Sequence, residues 1–304
     1  MAFNSSHSLL TKTVLTILGI YVLYICCVGL FSTVSDQAYQ PPAELPKTDK
    51  DRAAVMADAL VQPIDGELHC LFGWLPNDLF PVPQFIDNKT NFQRGVIYAI
   101  RSASDVLAHQ IARYGERDTV PPLLVDATAK YFAYADNVWG WWWLYDTESR
   151  YKAGVKNWRR WAELVGIGGK NGQIYNMTTN DVVAILNWCI ATTDYALGML
   201  NDENVGHFRA DDVVYYVKGV CYVVDNILEA LLICDESIAT RGGKENVDEC
   251  QKRFNMISSF NPIYVVAGSY GVGDSFWPNH IAALARHVDV VNNRLSDIRH
   301  AMMN

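Results

Sequence analysis

The chain has 304 residues, half of them apolar, and a formal net charge of −8. That length and apolar content suffice for a large core, and an acidic balance without a basic stripe argues against nucleic acid as a partner. Seven cysteines with no CxxC pair are too few for a disulfide scaffold.

Residues 13–31, TVLTILGIYVLYICCVGLF, run for about nineteen positions without a charge. At about 1.5 Å per residue, such a helix nearly crosses a hydrocarbon core of about 30 Å. Lys12 precedes it, Asp36 and Glu44 follow, and the next basic residue is Lys47. The positive-inside rule then predicts a cytoplasmic tail over 1–12, a transmembrane helix over 13–31 in contact with the lipid bilayer, and the remainder on the far side. A cleaved signal peptide is the competing reading, but the flank VGLFSTVSDQ is bulky and offers no A-x-A cut. A lipoprotein fits less well, because Ile25 precedes Cys26, and Cys26 precedes Cys27, where a small residue is needed. Residues 32–50 are polar and proline-rich and read as a spacer, leaving 51–304 as the folded domain.

The next segment, 72–95, reads FGWLPNDLFPVPQFIDNKTNFQRG. Its prolines exclude a regular helix or a central strand, and its aromatics make it too apolar for a floppy linker. One reading is a structural clasp: Phe72, Trp74, Leu79, Phe80 and Phe85 press onto the domain, while Asp87, Asn88 and Asn91 supply turns and caps. The other is a ligand or partner face built from Trp74, Asn77, Asp78, Asp87, Asn88 and Arg94.

Helical patterns follow. Phe92, Val96, Ile100, Ala103, Leu107, Ile111 and Tyr114 recur at steps of three and four, with Gly115 as a stop. Pro121 and Pro122 open a helix to about Ala135, and a further helix is expected from about Asp146 to Val165. Thr179 caps a stripe of Val182, Leu186, Cys189, Thr193, Leu197 and Leu200. Asp211 starts one of Val214, Val217, Cys221, Val224, Leu228 and Leu231, and the last helix carries Ile281 through Met302 at the same spacing. Only IYVVAG, 263–268, looks strand-like, so the expected fold is all-α: an N-terminal transmembrane helix followed by a multi-helix bundle domain with long irregular loops.

Candidate chemistry is sparse. His280 and His287 share a helix, but about 10 Å separates their backbones, and no HExxH appears, so no metal site or cofactor is expected. AGSYGVGDS, 267–275, invites a phosphate-loop reading, yet it lacks the lysine of GxxxxGK and reads better as a turn before a helix. Cys189 and Cys221 fall on apolar stripes. Cys234 and Cys250 flank a polar loop; a disulfide there would contribute roughly 3 kcal/mol, with core packing as the other reading for Cys250. Trp141, Trp142 and Trp143 cannot all face one side, so core, ligand face, partner face and membrane contact all stay open. Asp78, Asp87, Asp136, Asp146 and Glu148 border the aromatic segments, but no nucleophile signature accompanies them.

FGWLPND, DNKTNFQRG, the WWW followed by ESRYKAG, and PNH opening a C-terminal helix together resemble a family of uncharacterised proteobacterial inner-membrane proteins, a domain of unknown function. The resemblance extends over nearly the whole chain. It implies a Gram-negative host and a periplasmic domain, and brings no activity or catalytic residue. The leading expectation is a membrane-anchored scaffold or accessory factor with protein partners in the envelope. A periplasmic ligand-binding or sensor module is the alternative, and an enzyme acting on envelope glycan or lipid stands behind both.

Overall fold

The computed structural model describes residues 2–32, 34, 39–78, 82–83, 86–114, 119–140, 146–168, 172–202, 204–262, 264–267 and 278–304, without the side chains of 2–8 and 208. Among them the fold is almost wholly helical. Helix α1, Ala2–Phe31, contains a 23-residue apolar stretch, Leu9–Phe31, that is a candidate membrane span and buries almost nothing. Helix α2, Asp49–Leu68, is started by Thr48 in a capping box with Asp51 and runs through a buried Pro63. The chain before it, expected to be a free spacer, lies on the domain: Tyr39 is buried and its hydroxyl donates to the Val55 carbonyl.

Helix α3, Asn88–Gln110, follows, then strand β1, Ala112–Tyr114, and α4, Pro122–Asp126, which continues as a π turn over Ala127–Phe132. Next come α5, Thr147–Leu164; β2, Gln173–Tyr175; α6, Thr179–Leu200; and α7, Ala210–Cys234. Two short helices, α8, Ser237–Gly242, and α9, Lys244–Ser258, lead to α10, His280–Met303. The strands β1 and β2 pair antiparallel, Arg113 opposite Ile174. Tyr114, expected on the helical stripe, sits in β1, and residues 264–267 of the strand-like IYVVAG are irregular.

Helix α7 is central, packed against α2, α3 and α6, while α10 covers α6 and α9. Its stripe, Val214 to Leu231, is fully buried, as is the stripe of α10. Each such side chain contributes about 1.5–3 kcal/mol relative to exposure, which holds these helices in place. Helices α3 and α7 cross with their backbones in close approach. A Cβ on Gly95 would overlap the Tyr216 carbonyl oxygen, and one on Gly219 would overlap that of Phe92. Alanine at either position would force the two backbones apart.

All seven cysteines are free. The Cys234 thiol donates to the Arg52 carbonyl on α2, while that of Cys250 points at the Val291 carbonyl on α10. The two face different helices and both are free and buried, so of the two readings the pairing is not formed and both pack in the core.

Candidate functional site

The 72–95 segment resolves into two parts with different chemistry. In the first, Trp74 is completely buried, its backbone N–H donating to Glu148 at 3.1 Å and its indole N–H to the Asp136 carbonyl at 2.8 Å. The Asn77 amide donates to the Val138 carbonyl. Beneath them lies a buried charged network. The Lys89 ammonium sits 2.7 Å from Glu67, and the Gln93 amide donates to Glu67 and to the Gly73 carbonyl while accepting from Leu75. Gly73 has φ +62°, and a side chain there would meet Glu148, so the turn requires glycine. Trp74 and Asn77 are thus committed to holding the loop. Arg94 pairs with Asp136 at 3.3 Å. Asp78 accepts a 2.6 Å hydrogen bond from the Tyr24 hydroxyl of α1, and Ile86 lies against Gly29, so the loop grips the end of the apolar helix. Burial pushes the Asp78 carboxyl up.

The second part is an acidic cluster. Asp87 precedes α3, and Asp211 and Asp212 form the first turn of α7. Oxygens of the three lie within 4.8 Å of one another, and the Asn91 amide donates to Asp212 at 2.8 Å. Burial, then repulsion from Asp212, pushes Asp87 up to about 7; burial and Asp211 push Asp212 upward. A proton shared across the pair relieves that repulsion. Three carboxylates are also a donor set that suits an oxygen-preferring divalent cation. The positive ends of α3 and α7 both point here, however, and they favour the carboxylates over a cation. Asp211 and Asp212 were not anticipated as partners of Asp87; a DD pair opening a helix reads in sequence as a simple dipole complement. Asn88, like Asp87, has a buried side-chain oxygen without a partner among the described residues.

Trp141, Trp142 and Trp143 lie outside the described residues, as do Leu79, Phe80, Phe85 and most of the glycine-rich loop. Trp139 beside them is exposed.

A groove of about 650 Å³ opens elsewhere, between residues 39–47 and the flank of α2 and α5. Its apolar wall comes from Tyr39, Pro42, Leu45, Pro46, Ala54 and Val55. Leu45 is 62% exposed, an apolar side chain left open to solvent. Arg159 closes one side, bridging Asp58 at 3.5 Å and Asp65 at 2.8 Å. A second depression of about 620 Å³ lies on the other side of Arg159 and Glu163 and is lined by Lys152, Lys156 and Arg160. Nothing in the sequence pattern announced the groove, because a proline-rich stretch after an apolar helix reads as a linker.

No curated protein and no solved structure matches the chain. A bacterial family described as "Uncharacterized protein conserved in bacteria (DUF2333)" matches residues 4–201, less than the near-complete coverage expected. The match includes the apolar helix, the clasp and every wall of the groove, and stops short of Asp211 and Asp212. The chain belongs to that family.

Proposed function

We propose that the chain is a single-pass inner-membrane protein, N-terminus cytoplasmic, whose periplasmic helical domain is a ligand-binding module. The groove of about 650 Å³ carries this reading. Its volume falls within the roughly 300–1,000 Å³ of small-molecule sites, and an apolar wall with a few charged groups is their usual lining. The exposed apolar stretch Leu9–Phe31 supports the anchor, and Lys12 ahead of it supports the orientation. Native mass spectrometry of the full chain, released gently from membranes, tests the binding. The wild type should retain a non-protein mass, and Ala54→Trp, which fills the groove from an exposed position, should lose it. A wild type that retains nothing overturns the reading. A reporter active only in the periplasm, fused after Asn304, should be active.

A role as accessory factor of an envelope complex is the second reading, favoured by the exposed Trp139 beside a run of three tryptophans. Crosslinked purification from membranes should then recover a stoichiometric protein partner, and recovery of the chain alone would count against it.

A further inference from the structure

Helix α1 is covered on one side, and only near its end. Every residue from Leu9 to Ile20 is exposed, whereas Tyr21, Tyr24, Ile25 and Val28, which share a helical face, are half-buried or buried. Asp78 reaches this face, its carboxylate accepting the Tyr24 hydroxyl at 2.6 Å, and Ile86 lies against Gly29. Length then sets depth. Residues 13–31 measure about 28 Å as a helix, close to the roughly 30 Å of a hydrocarbon core, so the whole stretch is needed to cross. Raising Tyr24 to the surface would leave 13–23, about 16 Å, to span that core, and would pull Lys12 into it. Tyr24 therefore lies roughly 10 Å inside the boundary, and the carboxyl bonded to it lies at a similar depth.

The chain at this point suits lipid. Positions 79–86, LFPVPQFI, carry no charge, and Pro76, Pro81 and Pro83 have no N–H to leave unpaired. The Asp78 N–H donates to the Leu75 carbonyl at 3.2 Å and the Ile86 N–H to the Pro83 carbonyl at 3.0 Å. Asp78 is the sole ionisable residue of 75–86. Burial pushes its carboxyl up, toward the neutral acid, and the Tyr24 hydroxyl supplies a partner where water is scarce.

Resting on the reading of α1 as a span, we propose that the turn between α2 and α3 is itself embedded in the membrane: Asp78, Val82, Pro83 and Ile86 enter the leaflet at the C-terminal end of α1, and their partner is the lipid acyl chains. The domain is then seated in the bilayer as well as anchored to it. An insertion of about 5–10 Å is the usual depth of an interfacial element, and the Tyr24 bond sets the turn at that depth.

The test uses the full wild-type chain in phosphatidylethanolamine vesicles doped with phosphatidylcholine that carries a diazirine on its acyl chain or, in parallel, on its head group. After photolysis the labelled residues are mapped. Leu23, exposed on α1, is the reference for a spanning position, and Ile167, also exposed, is the control for non-specific reaction. Ile167 follows the far end of α5, about 27 Å along that helix from the end at which Glu148 holds Trp74. The acyl-chain probe should label Leu23, and should label Val82 and Pro83 at least about tenfold more than Ile167, as positions within the acyl region would be. Val82→Asp, which sets a carboxylate among acyl chains, should lower the label at Pro83 at least about threefold with Leu23 unchanged. Labelling of the turn by the head-group probe alone, equal labelling of Ile167, or full labelling in Val82→Asp overturns the insertion. If Leu23 takes the acyl label and the turn takes none, the insertion falls and the anchor stands; if Leu23 takes none, both fall.

Discussion

The clasp and the groove are both dense in charged and aromatic residues, and they differ in one respect. In the clasp the polar groups of Trp74, Asn77, Lys89 and Gln93 meet protein partners, and the charges of Glu67 and Lys89 are buried against each other. In the groove Asp58 and Asp65 share a single Arg159, Lys50 makes no ion pair among the described residues, and Leu45 faces water. Polar density alone does not mark a binding site; what marks it is the remainder after internal partners are counted. On that criterion the Gly73–Asn77 part of the segment that looks most like a site in sequence is structural, its Asp87–Asn88 end keeps unmatched oxygens among the described residues, and the stretch that looks like a tether borders the candidate groove.

Breaking the clasp should have the largest effect. Lys89→Met leaves the Glu67 carboxylate buried and unpaired and should cost about 3–5 kcal/mol, seen as a lower urea midpoint with unchanged slope in detergent solution. Gly219→Ala comes next, at about 2–3 kcal/mol, because the α3–α7 crossing admits no Cβ; Gly95→Ala should behave alike, and the two costs should not add.

The acidic cluster gives a pH signature. The Asp87 carboxyl has an ordinary value of 3.8 and is raised to about 7 by folding. A raised carboxyl binds protons more tightly when folded, so its contribution is complete below about pH 4 and gone above about pH 7. Stability should therefore decline as pH rises through this window. Asp87→Asn, which keeps the shape and removes the titration, should flatten the decline and gain about 2 kcal/mol at pH 8. A decline that persists unchanged in the variant would place the titrating group elsewhere. The smallest effect belongs to the groove. Leu45→Ser should alter stability by less than about 0.5 kcal/mol while weakening ligand retention, the reverse of the clasp variants.

Much of the helical frame was legible, because helix periodicity is a local property. The stripes Val214–Leu231 and Ile281–Met302 are buried as read and the helix expected from about Asp146 starts there, whereas the cap expected at Thr179 is supplied by its neighbour Thr178, which forms a capping box with Asp181. Three-residue strands were not, since Ala112–Tyr114 and Gln173–Tyr175 exist only by pairing across the chain. The same limit hid the acidic cluster. Asp87 meets Asp212 because two glycines let α3 and α7 touch, and no window of sequence holds both halves. The position of residues 39–47 was illegible for a similar reason: Tyr39 is fixed by a carbonyl on α2.

The bond between Tyr24 and Asp78 has a mechanical consequence. Tyr24 lies seven residues before the end of α1, about 10 Å down its axis, so the domain holds the helix along its last two turns as well as at its tip. A spanning helix adjusts its tilt to bilayer thickness. Asp78 on Tyr24 and Ile86 near Gly29 are two points of attachment, so a lean of α1 would be passed to the loop that carries them. Lipid composition would then reach the domain as an angle.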